Sequence, residues 1–286
     1  MAAAGSPVIT IRNAAADAKI NVHKLRRNVS VLEDSGGNIT VLTGRDGKVL
    51  VDAGITASRP GITDALASLS DDSVRHLINS HWHFDHTDGN EWLHSIGAEI
   101  TAHENTRKHP SVSTRVEDWN FTFPPAPAGA LPTKVVTTDE TLHLNGTTLV
   151  LKCYGPSHTD SDISVEFTEA DIIDVADTFW NGHYPFIDYS TGGSIDGMIR
   201  AAEANVARVT DKTIVIPGHG PVGNKAQLIE FRDMLVSIWE RVTALKKEGK
   251  SREEVVAAKP TADYDAKWGG FVIGGDFFTK LVYAGV

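Results

Sequence analysis

Short apolar runs bounded by turn residues recur along the chain, and one long run at helical spacing follows them. Ile39–Thr43 and Val49–Asp52 flank Asp46-Gly47, a turn pair that predicts a hairpin. Asn145-Gly146 does the same for Thr141–Leu144 and Thr147–Leu151, and Glu169-Ala170-Asp171 for Ser164–Phe167 and Ile172–Val175. Val74–Ser80 is half apolar, contains Leu77 and Ile78, and reads as a buried strand. Asp88 with Glu91 three residues on has the form of a capping box, which predicts a helix starting just after it. Leu228, Phe231, Leu235, Ile238, Val242 and Leu245 recur at steps of three and four, the pattern of an amphipathic helix. Gly249 ends that helix, and Ser251 with Glu254 caps another. Hairpins first, then strands alternating with helices, suit an α/β fold: an αββα sandwich of two mixed sheets flanked by helices. Phe123–Pro132, with its four prolines, is the loop-like interruption, either a cover over a site entrance or a surface connector.

Size and composition add bounds. A chain of 286 residues, 41% hydrophobic and 22% charged, can bury one sizeable core. We expect a single domain over 1–286, with a core over 20–225 and a helical tail over 226–286. No apolar run approaches the roughly 18 residues needed to span a bilayer, so no membrane partner is expected. Met1–Pro7 has neither the basic region nor the apolar stretch of a signal peptide. Cytoplasmic and periplasmic locations both stay open, as does homo-oligomerisation. A net charge of −10 without a lysine and arginine stripe argues against a nucleic-acid partner. Cys153, the sole cysteine, has no internal disulfide partner and falls in phase with Leu149 and Leu151, as a small buried residue would.

The candidate chemistry is concentrated in Ser80-His81-Trp82-His83-Phe84-Asp85-His86-Thr87-Asp88-Gly89. Imidazole and carboxylate are the ligands that borderline divalent metals such as zinc prefer. His81 and His83, two apart in an extended segment, project to one side and can share an ion. Asp85 and His86 follow as the chain turns and point to a second position, so two ions fit better than one. Trp82 and Phe84, interleaved with them, face away and pack in the core. Further candidates each follow a strand: His158 after Thr147–Tyr154, Asp177 after Ile172–Val175, and His219 after Ile214–Ile216.

The ordered set His-x-His-x-Asp-His, then His, then Asp, then His resembles the metallo-β-lactamase fold superfamily, over most of the chain from Asp52-Ala53-Gly54 to His219. The resemblance implies the αββα sandwich of that type. It implies one metal on His81, His83 and His158, a second on Asp85, His86 and His219, and Asp177 as a bridge. It also implies chemistry: two zinc ions, or manganese or iron, sharing a water and lowering its pKa toward neutrality, then polarising a carbonyl. Relatives dedicated to β-lactams typically carry cysteine or serine where Asp177 stands, whereas an aspartate is similar to lactonases, thioester hydrolases and alkylsulfatase-like or phosphodiesterase members.

The expected activity is therefore metal-assisted hydrolysis of a small-molecule ester, lactone, thioester or amide, with ester or lactone favoured. No Gly-x-Ser-x-Gly elbow competes with it. The alternatives are β-lactam hydrolysis as a main or side activity, and an iron oxidoreductase of the same fold, like a persulfide dioxygenase. Asp85 is the candidate for orienting the hydroxide. In the aromatic stretch Thr178–Phe186, His183 or Tyr184 is the candidate donor to a developing oxyanion, unless that stretch is simply packed on the domain. Trp119 and Phe121 are placed at the opposite rim.

Overall fold

In the computed structural model, which describes residues 6–286, two β-sheets meet face to face and helices cover both outer faces. Residues 1–5, part of the N-terminal stretch read above for a signal peptide, lie outside the described residues. The first sheet runs β1 (Asn21–Lys24), β2 (Val29–Glu33), β3 (Ile39–Leu42), β4 (Lys48–Val51), β5 (Val74–Asn79), β6 (Glu99–His103) and β9 (Lys134–Val136) in that spatial order. The second runs β10 (Glu140–Leu144), β11 (Thr147–Cys153), β12 (Ile163–Phe167), β13 (Ile172–Trp180) and β14 (Ile214–His219). A separate hairpin joins β7 (Thr114–Val116) to β8 (Phe121–Phe123). Both large sheets are mixed: β3 and β4 pair antiparallel and β4 and β5 parallel, while β13 and β14 end the second sheet in parallel.

Period-two alternation divides each strand between two cores. Val49 and Val51 point between the sheets, where they meet Leu149, Leu151, Val165 and Ile216. Leu50 points the other way, into a layer with Ile62, Leu66 and Leu93 from α2 (Arg59–Leu69) and α4 (Asn90–Ser95). On the far side, Ile173 and Val215 pack beneath α6 (Ile195–Arg208) and α7 (Lys225–Lys247). That cluster takes in Val8 of α1 (Pro7–Ala16) and Phe278 and Leu281 of α10 (Gly275–Gly285), so the tail helices share it. α3 (Phe84–Thr87), α5 (Glu104–Lys108), α8 (Arg252–Ala257) and α9 (Asp265–Trp268) are short connectors.

The Asp46-Gly47 and Asn145-Gly146 hairpins form as expected, and Asp171 closes the third turn with φ 53°. The long C-terminal helix buries Leu228, Phe231, Leu235, Ile238 and Val242, and Ser251 and Glu254 make the reciprocal capping box. Four details differ. Asp88 does not cap α4, which starts after Gly89; it ends α3 instead, and its carboxylate accepts from the Thr56 amide at 2.9 Å. Strand β13 continues five residues past the expected limit at Val175 to reach Trp180, because a bulge at Ala176 (φ 44°) breaks the alternation without ending the pairing. Cys153 is only half-buried, as the end of β11 leaves the sheet interface. The proline-rich stretch borders a groove shared with Arg12, Asp88 and Glu91, beside the metal-ligand turn and apart from the cavity described below.

Candidate metal centre

The site forms where strand ends of both sheets meet. The chain leaves β5 and delivers His81 and His83 before its first helical turn, α3, carries Asp85 and His86. The cluster is thus partly inside a helix rather than ahead of one. His158 comes from the loop after β11, Asp177 from the bulged part of β13, and His219 from the last position of β14. All seven side chains predicted as ligands converge in two groups, His81, His83, His158 and Asp177, and Asp85, His86 and His219, each with its ligand atoms within 4.8 Å of one another. All seven are buried. Gly218 makes the approach feasible, since a Cβ there would fall 1.8 Å from Asp177 Oδ1.

Hydrogen bonds behind the rings fix which nitrogen faces inward. His158 Nδ1 donates to the Phe186 carbonyl at 2.7 Å, and His83 Nε2 donates to Asp188 Oδ2 at 3.0 Å. Their inward atoms, His158 Nε2 and His83 Nδ1, then face each other at 2.9 Å as two lone pairs. Two lone pairs at that separation repel unless a cation lies beside both. His86 Nδ1 donates to Asp52 Oδ2 at 2.7 Å, leaving Nε2 inward. Ser80 Oγ spends its proton on Asp52 Oδ2 and so accepts from His81 Nδ1 at 2.9 Å, which orients His81 the same way.

The inward atoms His81 Nε2, His86 Nε2, His219 Nε2 and Asp177 Oδ1 are buried without a hydrogen-bond partner. Buried polar atoms are rarely left so, and a missing ion is among the standard explanations. Asp177 stands between the groups: Oδ2 is 3.2 Å from His158 Nε2, and Oδ1 is 3.1 Å from His86 Nε2. Asp85 Oδ2 is 3.3 Å from His219 Nε2. Donor types, burial and orphaned atoms all fit a pair of divalent cations.

Charge inside the cluster is strongly coupled. Burial alone would push Asp177 up, but His86 and the other imidazoles hold it well below the usual carboxylate range. Burial opposes a proton on His219, yet Asp177 and Asp85 reverse this and raise it to about 9. His81 stays low through burial and the neighbouring His86. The sign of the pH dependence without metal follows. The contribution of His219 is complete below its ordinary 6.5 and is lost as pH rises through about 9. Asp85 and Asp177, lowered from 3.8, contribute above that value and lose it in acid. Chelated protein should therefore lose Tm as pH rises through about 9, where His219 gives up its proton, and added zinc should reverse that alkaline fall. Melting curves across pH with and without chelator test this; a flat alkaline limb in chelated protein contradicts it.

Sequence reasoning missed the outer partners Asp52 and Asp188. Asp52 follows β4 in a left-handed conformation (φ 66°) and takes bonds from the Ser80 amide, the Ser80 hydroxyl and His86, each at 2.7 Å. An aspartate directly after a buried strand was the available signal. Of the other candidates, Trp82 faces away from the cluster and is buried in the core, its Nε1 donating to Thr191, while Phe84 lines the cavity in front of Asp85. Trp119 lines the same cavity, and Phe121 packs on Phe123 instead. His183 is half-buried against Phe271, its Nδ1 unpartnered, with burial lowering its pKa. Tyr184 is turned away: its hydroxyl donates to Asp265 Oδ1 at 3.0 Å under the tail helices, so it cannot meet an oxyanion at this site.

Comparisons with known proteins agree with this geometry. A sec-alkylsulfatase from Pseudomonas sp. described as stereoselective and inverting superposes with a TM-score of 0.69 at 16% identity, covering 92% of this chain and 50% of that one. This chain thus spans about half the length of that protein. A metallo-beta-lactamase from Pontibacter korlensis gives 0.60 at 19% identity, covering 76% and 99%, and the DIM-1 metallo-beta-lactamase gives 0.60 at 18%, covering 77% and 99%. At these identities the likeness is one of fold. No curated protein matches the chain. The family profile described as the metallo-beta-lactamase superfamily matches residues 32–224, from β2 to the start of α7 and across every one of the converging ligand residues; the chain belongs to that superfamily.

Proposed function

We propose that this protein is a dinuclear zinc-dependent hydrolase in which water attacks the carbonyl of a small ester or lactone and the acyl C–O bond breaks, thioesters and amides completing the class. His81, His83 and His158 would hold one ion, Asp85, His86 and His219 the other, and Asp177 both. The observation that carries the assignment is the set of inward, unpartnered nitrogens and carboxylate oxygen, which no bond within the protein satisfies. A complete second group beside the first favours two ions over the single iron of an oxidoreductase.

Ions bound there supply a water acidified toward neutral pH and a Lewis acid for the carbonyl oxygen. Asp85, held ionised at about 2 against its own burial by His86 and His219, accepts a hydrogen bond from the attacking water and orients it. Its low pKa makes it a positioning group and a weak base. His183, kept neutral by burial, is the remaining candidate donor to the developing oxyanion. Asp52 and Asp188 hold the rings of His86 and His83 in place. Aromatic walls exclude bulk water.

Elemental analysis of the purified protein, beside a panel of lactone, ester, thioester, β-lactam, phosphodiester and sulfate-ester substrates, tests the assignment. Two zinc ions per chain and chelator-sensitive turnover of an ester or lactone are expected. One iron without zinc overturns it in favour of the oxidoreductase, and dominant β-lactam turnover in favour of the lactamase alternative.

A further inference from the structure

We infer that residues 269–275, the link between α9 and α10 with the first residue of α10, form a flap that admits substrates whose portion away from the reacting group is uncharged and apolar. The reaction itself rests on the hydrolase assignment above; the selectivity rests on the cavity.

The cavity in front of Asp85, Asp177 and His219 is walled by Phe84, Trp119, Trp180, Phe186, Phe271 and Phe277, and no lysine or arginine lines it among the described residues. An anionic group on the distal part of a substrate would lose its water there and meet no cation. An apolar chain gains instead, about threefold to fourfold in binding per methylene. The link supplies a whole side of this wall. Phe271 stands 4.8 Å from the ring of His183, 6.0 Å from His219 and 6.2 Å from Trp180. Yet Phe271 and Val272 are 47% and 41% exposed, unlike the buried Ile273 beside them.

The glycines explain how such a tip is mounted. Gly269 and Gly275 are small for lack of room, since a Cβ would fall 2.9 Å from the Asp265 carbonyl oxygen or 2.1 Å from its Oδ1. Gly270 and Gly274 are different: nothing lies within 4 Å of a Cβ added at either, and neither has a positive φ. Gly274 also serves as the N-cap of α10, where glycine is favoured over alanine, so Gly270 is the position at which only freedom to turn remains. Packed ends, a free joint and an exposed apolar tip above the metal cluster describe a segment that closes on its ligand.

The test uses zinc-loaded protein and para-nitrophenyl esters of lengthening acyl chain, with a matched ester whose chain ends in a carboxylate. In the wild type, kcat/KM should climb about threefold per methylene, and the carboxylate-ended ester should trail by about tenfold or more. Phe271→Ala with Val272→Ala should flatten the climb. Gly270→Ala fits the available space, so its Tm should hold or rise, while kcat for the longest ester falls. An undiminished climb in the first variant, equal turnover of the charged ester, or full speed in the second overturns the flap. Should no ester be cleaved at all, the hydrolase assignment fails and the flap is judged by binding alone. A neutral aryl ketone of matched chain length should then quench tryptophan fluorescence in the wild type, through Trp180, more than in the Phe271/Val272 variant. Equal quenching in both, or by a carboxylate-ended analogue, overturns it.

Discussion

Alanine at Asp85 or at His158 is expected to lower hydrolysis by on the order of a thousandfold or more while the protein stays folded. Both side chains spend their polar atoms chiefly on the cluster. Asp85 lies at the cavity face with His86 and His219 as its near partners, 3.6 and 3.3 Å away, so its removal leaves the surrounding backbone bonds in place. His158 also serves the Phe186 carbonyl. Its loss leaves that acceptor unpaired and a small void, a cost of about 1–3 kcal/mol that a domain of this size withstands. The two variants should differ in metal content, Asp85→Ala sparing the first ion and His158→Ala the second. Turnover, circular dichroism and bound-metal stoichiometry measured together decide the matter. Full activity in either variant would remove that residue from the reaction.

The second large effect is expected at a residue that touches no ion. Asp52→Asn should weaken metal affinity by about 10–100-fold. Asp52 is buried and accepts three hydrogen bonds, so both carboxylate oxygens are committed. An amide of the same shape can accept at one end only, and its NH2 end must confront either the Ser80 amide N–H or the Ser80 hydroxyl together with His86 Nδ1–H. Either the His86 ring turns or the bond is lost, with destabilisation of about 1–3 kcal/mol. Because the fault is in affinity, excess zinc should restore most of the rate, which it would not do for Asp85→Ala. Competition with a chromophoric chelator reads the affinity directly, and an unchanged value for Asp52→Asn would show that orienting His86 matters little.

The ligands were legible in the sequence and their supports were not, for a physical reason. Four side chains of metal-ligating type in the six positions from His81 to His86 stand out, and each later member of the cluster follows an apolar run that announces a strand. Asp52 and Asp188 reach the histidines they orient across 34 and 105 positions, and apart from the strand that ends before Asp52 nothing in the sequence marks that role. Tyr184 shows the opposite failure. An aromatic stretch with polar tips suggests a pocket wall, but composition carries no direction, and the hydroxyl proved to serve Asp265. The hairpins were legible because turn chemistry is local. The extension of β13 through Asp177 was not, because a bulge hides continuity that only the partner strand reveals. Asp88 and Glu91 had the capping spacing, yet Gly89 starts the helix and Asp88 is drawn to Thr56.

The cluster also straddles a seam. His81, His83, Asp85 and His86 hang from one β-sheet, and Asp177 and His219 from the other. A cation held there as proposed would act as a rivet between the halves, and resistance to unfolding would become a property of the surroundings as well as of the chain. Saturation at about a hundredfold above Kd contributes roughly 2.7 kcal/mol. Under zinc starvation the molecule would be looser as well as idle, and so easier for a protease to open.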